Sequence, residues 1–488
     1  MAGIDTVSEE TPDNAPAAPP QERVSLGPAL LWWCAVPALG VVWGAWHLRR
    51  SWFVYDEWSM IERVQAMGAG DGMMASFNGH LWMLQYWLYR VQVSVFGVDR
   101  HTFICVMFVL SLLLLHLGLA ALLRAAGVPR ASALLLGGVL TYLGAASQNF
   151  LFAVQVSPTL SLAAVVLAAA IVLSGRRSPA WQVLVAALLL AAVGIDSGTA
   201  LGGAVLGATV VLLTWRSWQA ALVVAPALLA LAAWYRWGDL GPDFPATRWH
   251  RIEFAVHLGL RSAGSLVAGG EAVGAVLLVA AAAAVAVGWW RGWLPGPART
   301  MVVAGSAAAA LTIAGIAQSR AGLPGFTFEN SNRYLQTGLI PIALAAAPAV
   351  AAACTRFGDR ISARAGGRAG ARSVGRWGSL AAPALLVVAF LLGLSPLRTY
   401  AAGFESWNVT VRHQVGVATV VVRDGCPSGT APDPASRPIG TLSPQIPTSL
   451  LITLMARGAL HAPAGVAVAD LAADPLATPV VALMCPAG

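Results

Sequence analysis

Long apolar stretches, separated by short polar segments, recur along most of the chain. A helix that crosses a bilayer needs about 20 mostly apolar residues. The pattern therefore predicts an all-α polytopic membrane protein with about eleven transmembrane helices. These helices are expected near residues 26–47, 102–123, 131–147, 158–174, 182–195, 199–214, 220–237, 268–290, 300–317, 335–355 and 379–396.

Residues 80–97 are also apolar, but polar side chains recur among them at helical spacing, at Gln85, Tyr89 and Gln92. A polar stripe on an otherwise apolar helix is typical of a helix that lies in the membrane interface. Tryptophan and tyrosine, which are also present, are enriched at that depth. We therefore predict an interfacial helix here, because a further span would invert every later loop.

Composition agrees with a membrane protein, since 57% of the residues are hydrophobic and only 11% are charged. These values exclude a soluble globular protein of ordinary composition. All thirty basic residues are arginine, and the net charge is +8. In a membrane chain such an excess is interpreted by its position along the loops, so no nucleic-acid partner is predicted. The five cysteines form no CxxC pair, which makes a structural zinc site unexpected.

Arginines are concentrated in alternate connections between the predicted helices, where thirteen arginines face a single acid, Asp359. The positive-inside rule assigns these connections to the cytoplasm. The sequence thus predicts a multi-pass protein of the cytoplasmic membrane with a cytoplasmic N-terminus and an extracytoplasmic C-terminus. The arginines are Arg124, Arg130, Arg176, Arg177, Arg216, Arg291, Arg299, Arg356, Arg360, Arg364, Arg368, Arg372 and Arg376.

The chain divides into three parts on this pattern. Residues 1–25 are acidic and rich in proline and alanine, and are predicted to be a disordered cytoplasmic tail. Residues 26–396 form the transmembrane domain and include a first loop, 48–101, on the outer side. Residues 397–488 form a small extracytoplasmic C-terminal segment.

The C-terminal segment holds two cysteines, Cys426 and Cys485, each followed by proline. The oxidising side of the membrane permits a disulfide between them, which we predict. Two unpaired cysteines at a mobile terminus are the alternative.

Two adjacent acids, Asp56 and Glu57, lie in the first loop just beyond the first helix. Such carboxylates are candidates for a general base, and they could also ligate a divalent cation such as Mg²⁺ or Mn²⁺. The alternative is that Asp56 caps a helix over 57–68, where an acid is favoured on structural grounds.

Other polar side chains on the predicted outer side are candidates for binding a substrate. Asn78 and His80 could hydrogen-bond a polar substrate, or could be a solvated helix cap and an interfacial side chain. The amides of Asn149 and Gln155 suit carbohydrate hydroxyls, but they also suit hydrogen bonds between helices. Asp196 is an acid at membrane depth and hence a functional candidate, although a helix N-cap explains it almost as well.

The mouth of the tenth predicted helix carries Arg333 and Tyr334. An arginine fork at this level can hold a phosphate, and an interfacial anchor is the alternative. The fourth outer connection, GDLGPDFPATRWHRIEF (238–254), is predicted to be mainly a solvated loop, and contact with an acceptor is the alternative.

Taken together, these motifs resemble those of the GT-C superfamily of integral-membrane glycosyltransferases, and they look closest to a bacterial branch. The resemblance covers roughly residues 26–355 and rests on YDEW, NGHLWMLQYWLYR, QNFLFAVQ, DSG and SNRY. It implies a GT-C-like fold and a polyprenyl-phosphate sugar as donor. It makes Asp56 the leading catalytic candidate, Glu57 its partner or a cation ligand, and Arg333 the donor-phosphate ligand. The acidic pair is Asp-Glu where many members have Asp-Asp, and the C-terminal segment is short, so the acceptor stays open.

The sequence thus predicts transfer of a sugar from a polyprenyl-phosphate donor to an acceptor of the cell envelope. A lipid-linked donor agrees with the lack of a nucleotide-binding motif. A transporter or lipid flippase is the alternative, although such proteins usually carry ionisable groups near the bilayer midplane. A catalytically inactive scaffold of the same fold also remains open.

Overall fold

The computed structural model of the protein describes residues 26–53, 56–238, 244–328, 331–364, 368–439 and 446–485. The predicted tail, 1–25, lies outside the described residues. Within them the chain is almost wholly helical, with a single short hairpin of strands.

The helices follow one another with short connections. The first nine are α1 (Leu26–Leu48), α2 (Asp56–Ala66), α3 (Ala69–Met74), α4 (Met83–Val91), α5 (Thr102–Ala125), α6 (Arg130–Thr141), α7 (Gln148–Leu151), α8 (Val156–Leu173) and α9 (Pro179–Ile195). The others are α10 (Ser197–Trp215), α11 (Trp218–Trp237), α12 (Arg248–Ser265), α13 (Glu271–Trp290), α14 (Gly296–Arg320), α15 (Arg333–Arg364), α16 (Arg368–Asp424), α17 (Thr448–Ala456) and α18 (Thr478–Met484). The strands β1 (Ser76–Phe77) and β2 (His80–Leu81) pair antiparallel.

Eight helices in the described part of the chain are long and apolar enough to cross a membrane, namely α5, α8, α10, α11 and α13 to α16. Shorter apolar helices in α1, α6 and α9 account for the other predicted spans. All eleven predicted positions are therefore helical, and the prediction of an all-α polytopic membrane fold is confirmed.

The predicted interfacial helix is present as α4, which continues into a π-helical turn over Gln92–Phe96. Its polar stripe faces the protein, because Gln85, Tyr89 and Gln92 are fully buried. Gln85 accepts a hydrogen bond from Ser157 Oγ at 2.7 Å, and Gln92 donates one to the carbonyl of Gly97 at 2.7 Å. The outward face carries exposed apolar side chains instead, which suits the membrane interface.

Two large apolar cores hold the molecule together. One fills the space between α5, α6, α8, α9, α10, α11, α12, α14 and α15. The other joins the first loop to the C-terminal segment and contains Trp58, Tyr89, Phe108, Val415 and Leu451. The first loop is therefore packed as a folded unit and does not extend freely into solvent.

The prediction of a solvated loop over 238–254 is wrong for its second half, because α12 begins at Arg248. Thr247 caps this helix, accepting a hydrogen bond from the backbone N–H of His250 at 3.1 Å. Phe254 and Leu258, one turn apart, bury the apolar face of the helix in the first core.

The last predicted span, 379–396, is only part of a longer helix, since α16 continues to Asp424. Beyond Pro396 its buried residues include Leu397, Phe404, Val411 and Ala418, which are seven positions apart. This spacing keeps one helical face against the second core, and packing therefore sustains the helix beyond the membrane segment. The helix crosses the predicted boundary between the transmembrane domain and the C-terminal segment.

A disulfide joins Cys426, just beyond the end of α16, to Cys485 after α18, with the Cα atoms 5.7 Å apart. It closes the C-terminal segment around α17 and α18. Among the described residues, Cys34, Cys105 and Cys354 are free thiols.

Candidate active site

Asp56, in the first loop, lies within electrostatic range of Arg333 at the beginning of α15. Asp56 is the first residue of α2 and is half-buried. Its carboxylate is close enough to Arg333 to interact with it electrostatically. The fold thus brings together the two residues that the sequence placed on the same side of the membrane.

Two tyrosine side chains, those of Tyr334 and Tyr400, lie near the Arg333 guanidinium. Its central carbon lies 5.3 Å from the ring centroid of Tyr334, and that of Arg320 lies 5.9 Å from the same ring. The Tyr334 hydroxyl interacts electrostatically with both arginines. Tyr400, from α16, also interacts electrostatically with Arg333. Arg320 and Tyr400 carried no sequence signal, because only tertiary packing brings them here.

Glu57 points away from this site and into the second core. Its side chain is fully buried, accepts a hydrogen bond from the Tyr89 hydroxyl, and lies 2.7 Å from Nε2 of His101. The Nδ1 atom of His101 lies 3.5 Å from the Cys105 sulfur. Burial opposes a charge on His101, but Cys105 and Glu57 together raise the pKa of its imidazole to about 10. Glu57 therefore anchors α2 to the core.

A cation site made from both adjacent acids does not fit this geometry. Consecutive residues on a helix project about 100° apart, so Asp56 and Glu57 do not face a common point. Glu57 is also engaged with Tyr89 and His101. Across the described ranges, no group of three or more His, Cys, Asp or Glu side chains could hold a metal ion.

Asn149 joins the connection between α6 and α8 to the beginning of α15. Its amide donates a hydrogen bond to the carbonyl of Arg333. Next to it, the backbone N–H of Gln148 donates to Oδ1 of Asn332 at 3.0 Å, and Nδ2 of Asn332 donates to Ser147 Oγ at 2.9 Å. These bonds fix the backbone that carries Arg333. Gln155 is buried just before α8 begins.

Asn78 forms part of a tight turn between β1 and β2. Asn78 and Gly79 both have positive φ, 52° and 84°, as a two-residue type I′ hairpin turn requires. Asn78 is exposed, whereas His80, two residues later, is partly buried. The hairpin directs His80 toward the turn between α9 and α10.

Asp196, in that turn, accepts hydrogen bonds from several donors. Its Oδ1 lies 3.0 Å from Nδ1 of His80 and accepts from Nε1 of Trp82 at 2.9 Å. The same side chain caps α10 through the backbone N–H groups of Gly198 and Thr199. Burial alone would raise the pKa of the Asp196 carboxyl, but His80 and the other donors hold it below its usual value. This arrangement anchors the first loop to the membrane helices.

Comparisons with known proteins give one structural similarity. No family profile and no curated protein matches the sequence. The fold is similar to the crystal structure of ArnT from Cupriavidus metallidurans, which contains undecaprenyl phosphate. Sequence identity is 16%, the match covers 83% of this chain and 82% of ArnT, and the TM-score is 0.44. The similarity concerns the fold and assigns no role to any residue of this chain.

Proposed function

We propose that this protein is a membrane glycosyltransferase that moves a sugar from a polyprenyl-phosphate donor to an acceptor of the cell envelope. The observation that carries the proposal is that Asp56 lies within electrostatic range of Arg333. A carboxylate can accept the proton of an acceptor hydroxyl, and an arginine fork beside it can hold the donor phosphate. Transfer from a phosphate-linked sugar needs both functions close together.

In the proposed reaction, the acceptor hydroxyl attacks the anomeric carbon of the sugar while Asp56 takes up the hydroxyl proton. A new bond forms between the acceptor oxygen and the anomeric carbon, and the bond between that carbon and the phosphate oxygen breaks. The polyprenyl phosphate leaves with the electron pair of the broken bond. Arg333 offsets the charge that develops on this phosphate, and the Tyr334 hydroxyl supplies a further hydrogen bond.

The remaining candidate residues are proposed to position this pair. Glu57 fixes the first turn of α2, from which Asp56 projects. Asn149 fixes the backbone of Arg333, and Asp196 with His80 holds the first loop against the bundle. The proposal contains no step through a metal ion, because the adjacent acids do not present a joint site.

The site is proposed to lie on the outer side of the cytoplasmic membrane. The arginine asymmetry supports this orientation, since the connections next to Gly127 and Ser178 carry arginines that favour the cytoplasm. Reporter fusions after Ala75 and Gly325 should be external, and fusions after Gly127 and Ser178 should be cytoplasmic. External labelling at Ser178 in intact cells would contradict the orientation.

Transfer and donor binding should be measured separately on protein reconstituted with a polyprenyl-phosphate sugar. Asp56→Asn should slow transfer by about a hundredfold to ten-thousandfold, the usual contribution of a general base, while donor binding survives. Arg333→Lys keeps the charge but loses the bidentate fork, so it should weaken both donor binding and transfer. Asp71→Asn makes the same charge change at an exposed position of the first loop and serves as the control.

Two results would count against the proposal. Full transfer activity in Asp56→Asn would remove this residue from the base role. Wild-type protein that binds no polyprenyl-phosphate sugar would remove the basis for an enzyme. Movement of such a lipid between leaflets without sugar transfer would instead identify a flippase.

A further inference from the structure

A cavity of about 460 Å³ lies between the first loop and the C-terminal segment, apart from Asp56 and Arg333. The first loop contributes residues of α2, α4 and the π-helical turn, and the C-terminal segment contributes the chain just after α17. Its volume lies within the range of small-molecule sites, about 300–1,000 Å³. The polar side chains that line it are Gln65, Arg90, Ser94, Asp99, Arg457 and His461.

The walls of the cavity are joined by direct contacts between the two segments. The backbone N–H of Val98 donates a hydrogen bond to the carbonyl of Ala459 at 2.7 Å. Gly97, with φ of 68°, passes so close to that carbonyl that a Cβ atom would lie 2.7 Å from its oxygen. The ring Nδ1 of His461 lies 2.6 Å from Oδ2 of Asp99, and its backbone N–H donates to Oδ1 at 3.1 Å. The cavity is therefore a built feature of the fold.

Positive charge dominates the lining. Arg90 and Arg457 both face the cavity, whereas both oxygens of its one lining acid, Asp99, are engaged by His461. Nη1 of Arg90 donates a hydrogen bond to the Tyr86 hydroxyl at 3.2 Å, and Nη1 of Arg457 donates to Gln65. Each guanidinium carries five N–H donors, so these bonds leave capacity for an anion.

The lining also suits a sugar. Phe96 is half-exposed at the wall and stacks on Phe103 with the ring centroids 5.0 Å apart, which fixes its orientation. An exposed aromatic face can pack against the apolar face of a sugar ring. Gln65 and Ser94 offer groups that can hydrogen-bond sugar hydroxyls. The lining exposes more polar than apolar surface, which favours a saccharide over the acyl chains of a lipid.

We propose that this cavity binds an anionic saccharide, a sugar that carries a carboxylate or phosphate, as the distal part of the acceptor. The acceptor role rests on the proposed function. Gln65 lies nine residues after Asp56 on α2, about 13 Å along the helix axis. An oligosaccharide can bridge that distance, so its reactive end would reach Asp56 while an acidic unit occupies the cavity.

The test uses fluorescent tetragalacturonate as the acidic probe and galactotetraose as the neutral one, with protein in phosphatidylcholine nanodiscs. Tetragalacturonate should bind at least tenfold more tightly and should weaken as salt rises. Arg90→Gln and Arg457→Gln should each weaken its binding about tenfold, since each removes charge-assisted hydrogen bonds. Arg412→Gln removes the same charge from an exposed position of α16 outside the lining and should bind like wild type.

A further variant distinguishes the effect of losing the arginine charge from the effect of a folding defect. Arg457→Lys keeps the charge and should retain more binding than Arg457→Gln, with unchanged thermal unfolding in both. Equal binding of the two probes, or wild-type binding in both glutamine variants, would overturn the proposal. Competition from phosphatidylglycerol nanodiscs would also overturn it, if the arginine variants change the affinity for that lipid and leave tetragalacturonate binding unchanged. The site would then hold a lipid headgroup.

Donor binding measured on the same samples keeps the two proposals apart. Tetragalacturonate binding that depends on both arginines supports the cavity even if the protein binds no polyprenyl-phosphate sugar. That second result would defeat only the proposed transferase function. If the donor binds and tetragalacturonate does not, the cavity proposal fails and the transferase stands.

Discussion

Nδ1 of His80 lies 3.0 Å from Oδ1 of Asp196, although the two residues are 116 positions apart. The contact joins the hairpin of the first loop to the turn between two membrane helices. Trp82 donates to the same oxygen, so one carboxylate holds two side chains of the loop in place. Asp196 therefore links the position of the first loop to the helix bundle.

Asp196→Asn should loosen the first loop without removing a reacting group. The single amide oxygen of asparagine cannot replace a carboxylate that faces His80 and Trp82 and also caps α10. Breaking such a buried pair is expected to lower the free energy of unfolding by about 3 kcal/mol. Apparent thermal unfolding in detergent and protease sensitivity near Asn78 would measure the effect. Asp99→Asn, at an exposed pair of the same loop, should cost less than about 1 kcal/mol.

The Asp196 carboxylate should make the stability of the protein fall at acidic pH. Because its folded pKa is lowered, its contribution is present above its unfolded pKa, near 3.8, and is lost as pH falls through the lower folded value. Wild type should therefore lose more stability than Asp196→Asn on acidification below about pH 4. Identical acid profiles for the two proteins would contradict this role.

Glu57→Gln should destabilise the protein more than it slows chemistry. It leaves the buried imidazole of His101 without its carboxylate partner, and about 3–5 kcal/mol is typical for breaking such a pair. Thermal unfolding would measure the loss, and Glu62→Gln in the same helix provides the control. If Glu57→Gln unfolds like wild type but has lost transfer, Glu57 has a direct role in the reaction.

Alkaline pH should weaken the same contact. The folded pKa of His101 is raised to about 10 from 6.5, so its stabilising contribution is complete below pH 6.5 and is lost as pH rises toward 10. Wild type should show this decline across that interval. His101→Asn should lack it, whatever its absolute stability.

The helices could be predicted from the sequence because a lipid environment demands long apolar segments, whose length is fixed by the bilayer. Amphipathic helices were harder to assign. The charges at the beginning of α12 were interpreted as solvation, although Phe254 and Leu258 mark a helical face. Likewise, the sequence pair Asn78-Gly79 is a strong signal for a hairpin turn, which the two interpretations of Asn78, as a substrate ligand or a solvated helix cap, both leave out.

The candidate site was predictable only in outline. Membrane topology placed Asp56 and Arg333 on one side, but it did not predict that they lie within electrostatic range of each other. The separation of Asp56 from Glu57 follows from helix geometry, whereas the partners that bury Glu57 come from residues 32 and 44 positions away. Such partners depend on tertiary packing, which hydrophobic periodicity does not encode.

Gly97→Ala should detach the C-terminal segment from the first loop. A Cβ atom there would clash with the carbonyl oxygen of Ala459, and the positive φ would add strain. A lower unfolding temperature and faster proteolysis of the C-terminal segment are expected. Gly465→Ala shares the positive φ but meets nothing within 4 Å, so it separates strain from collision. Equal effects of the two substitutions would show that the close approach to Ala459 is unimportant.

Removing the disulfide should destabilise the C-terminal segment. Cys426→Ser with Cys485→Ser opens a bridge between residues 59 positions apart, which is worth about 4 kcal/mol on chain-entropy grounds. Limited proteolysis with and without reductant would measure the change. Cys34→Ser with Cys354→Ser removes two exposed free thiols and should have little effect. Equal thiol labelling of Cys426 before and after reduction would show that no bridge forms.

The long helix α16 connects the membrane-spanning part of the molecule to the C-terminal segment. From Ala382 to Asp424 it is one continuous helix, about 65 Å long at 1.5 Å per residue. A thinner or thicker bilayer changes the tilt of a long helix. Because the disulfide and α17 are fastened to its far end, any tilt of α16 would be carried to the C-terminal segment, so bilayer thickness would set how that segment meets the first loop.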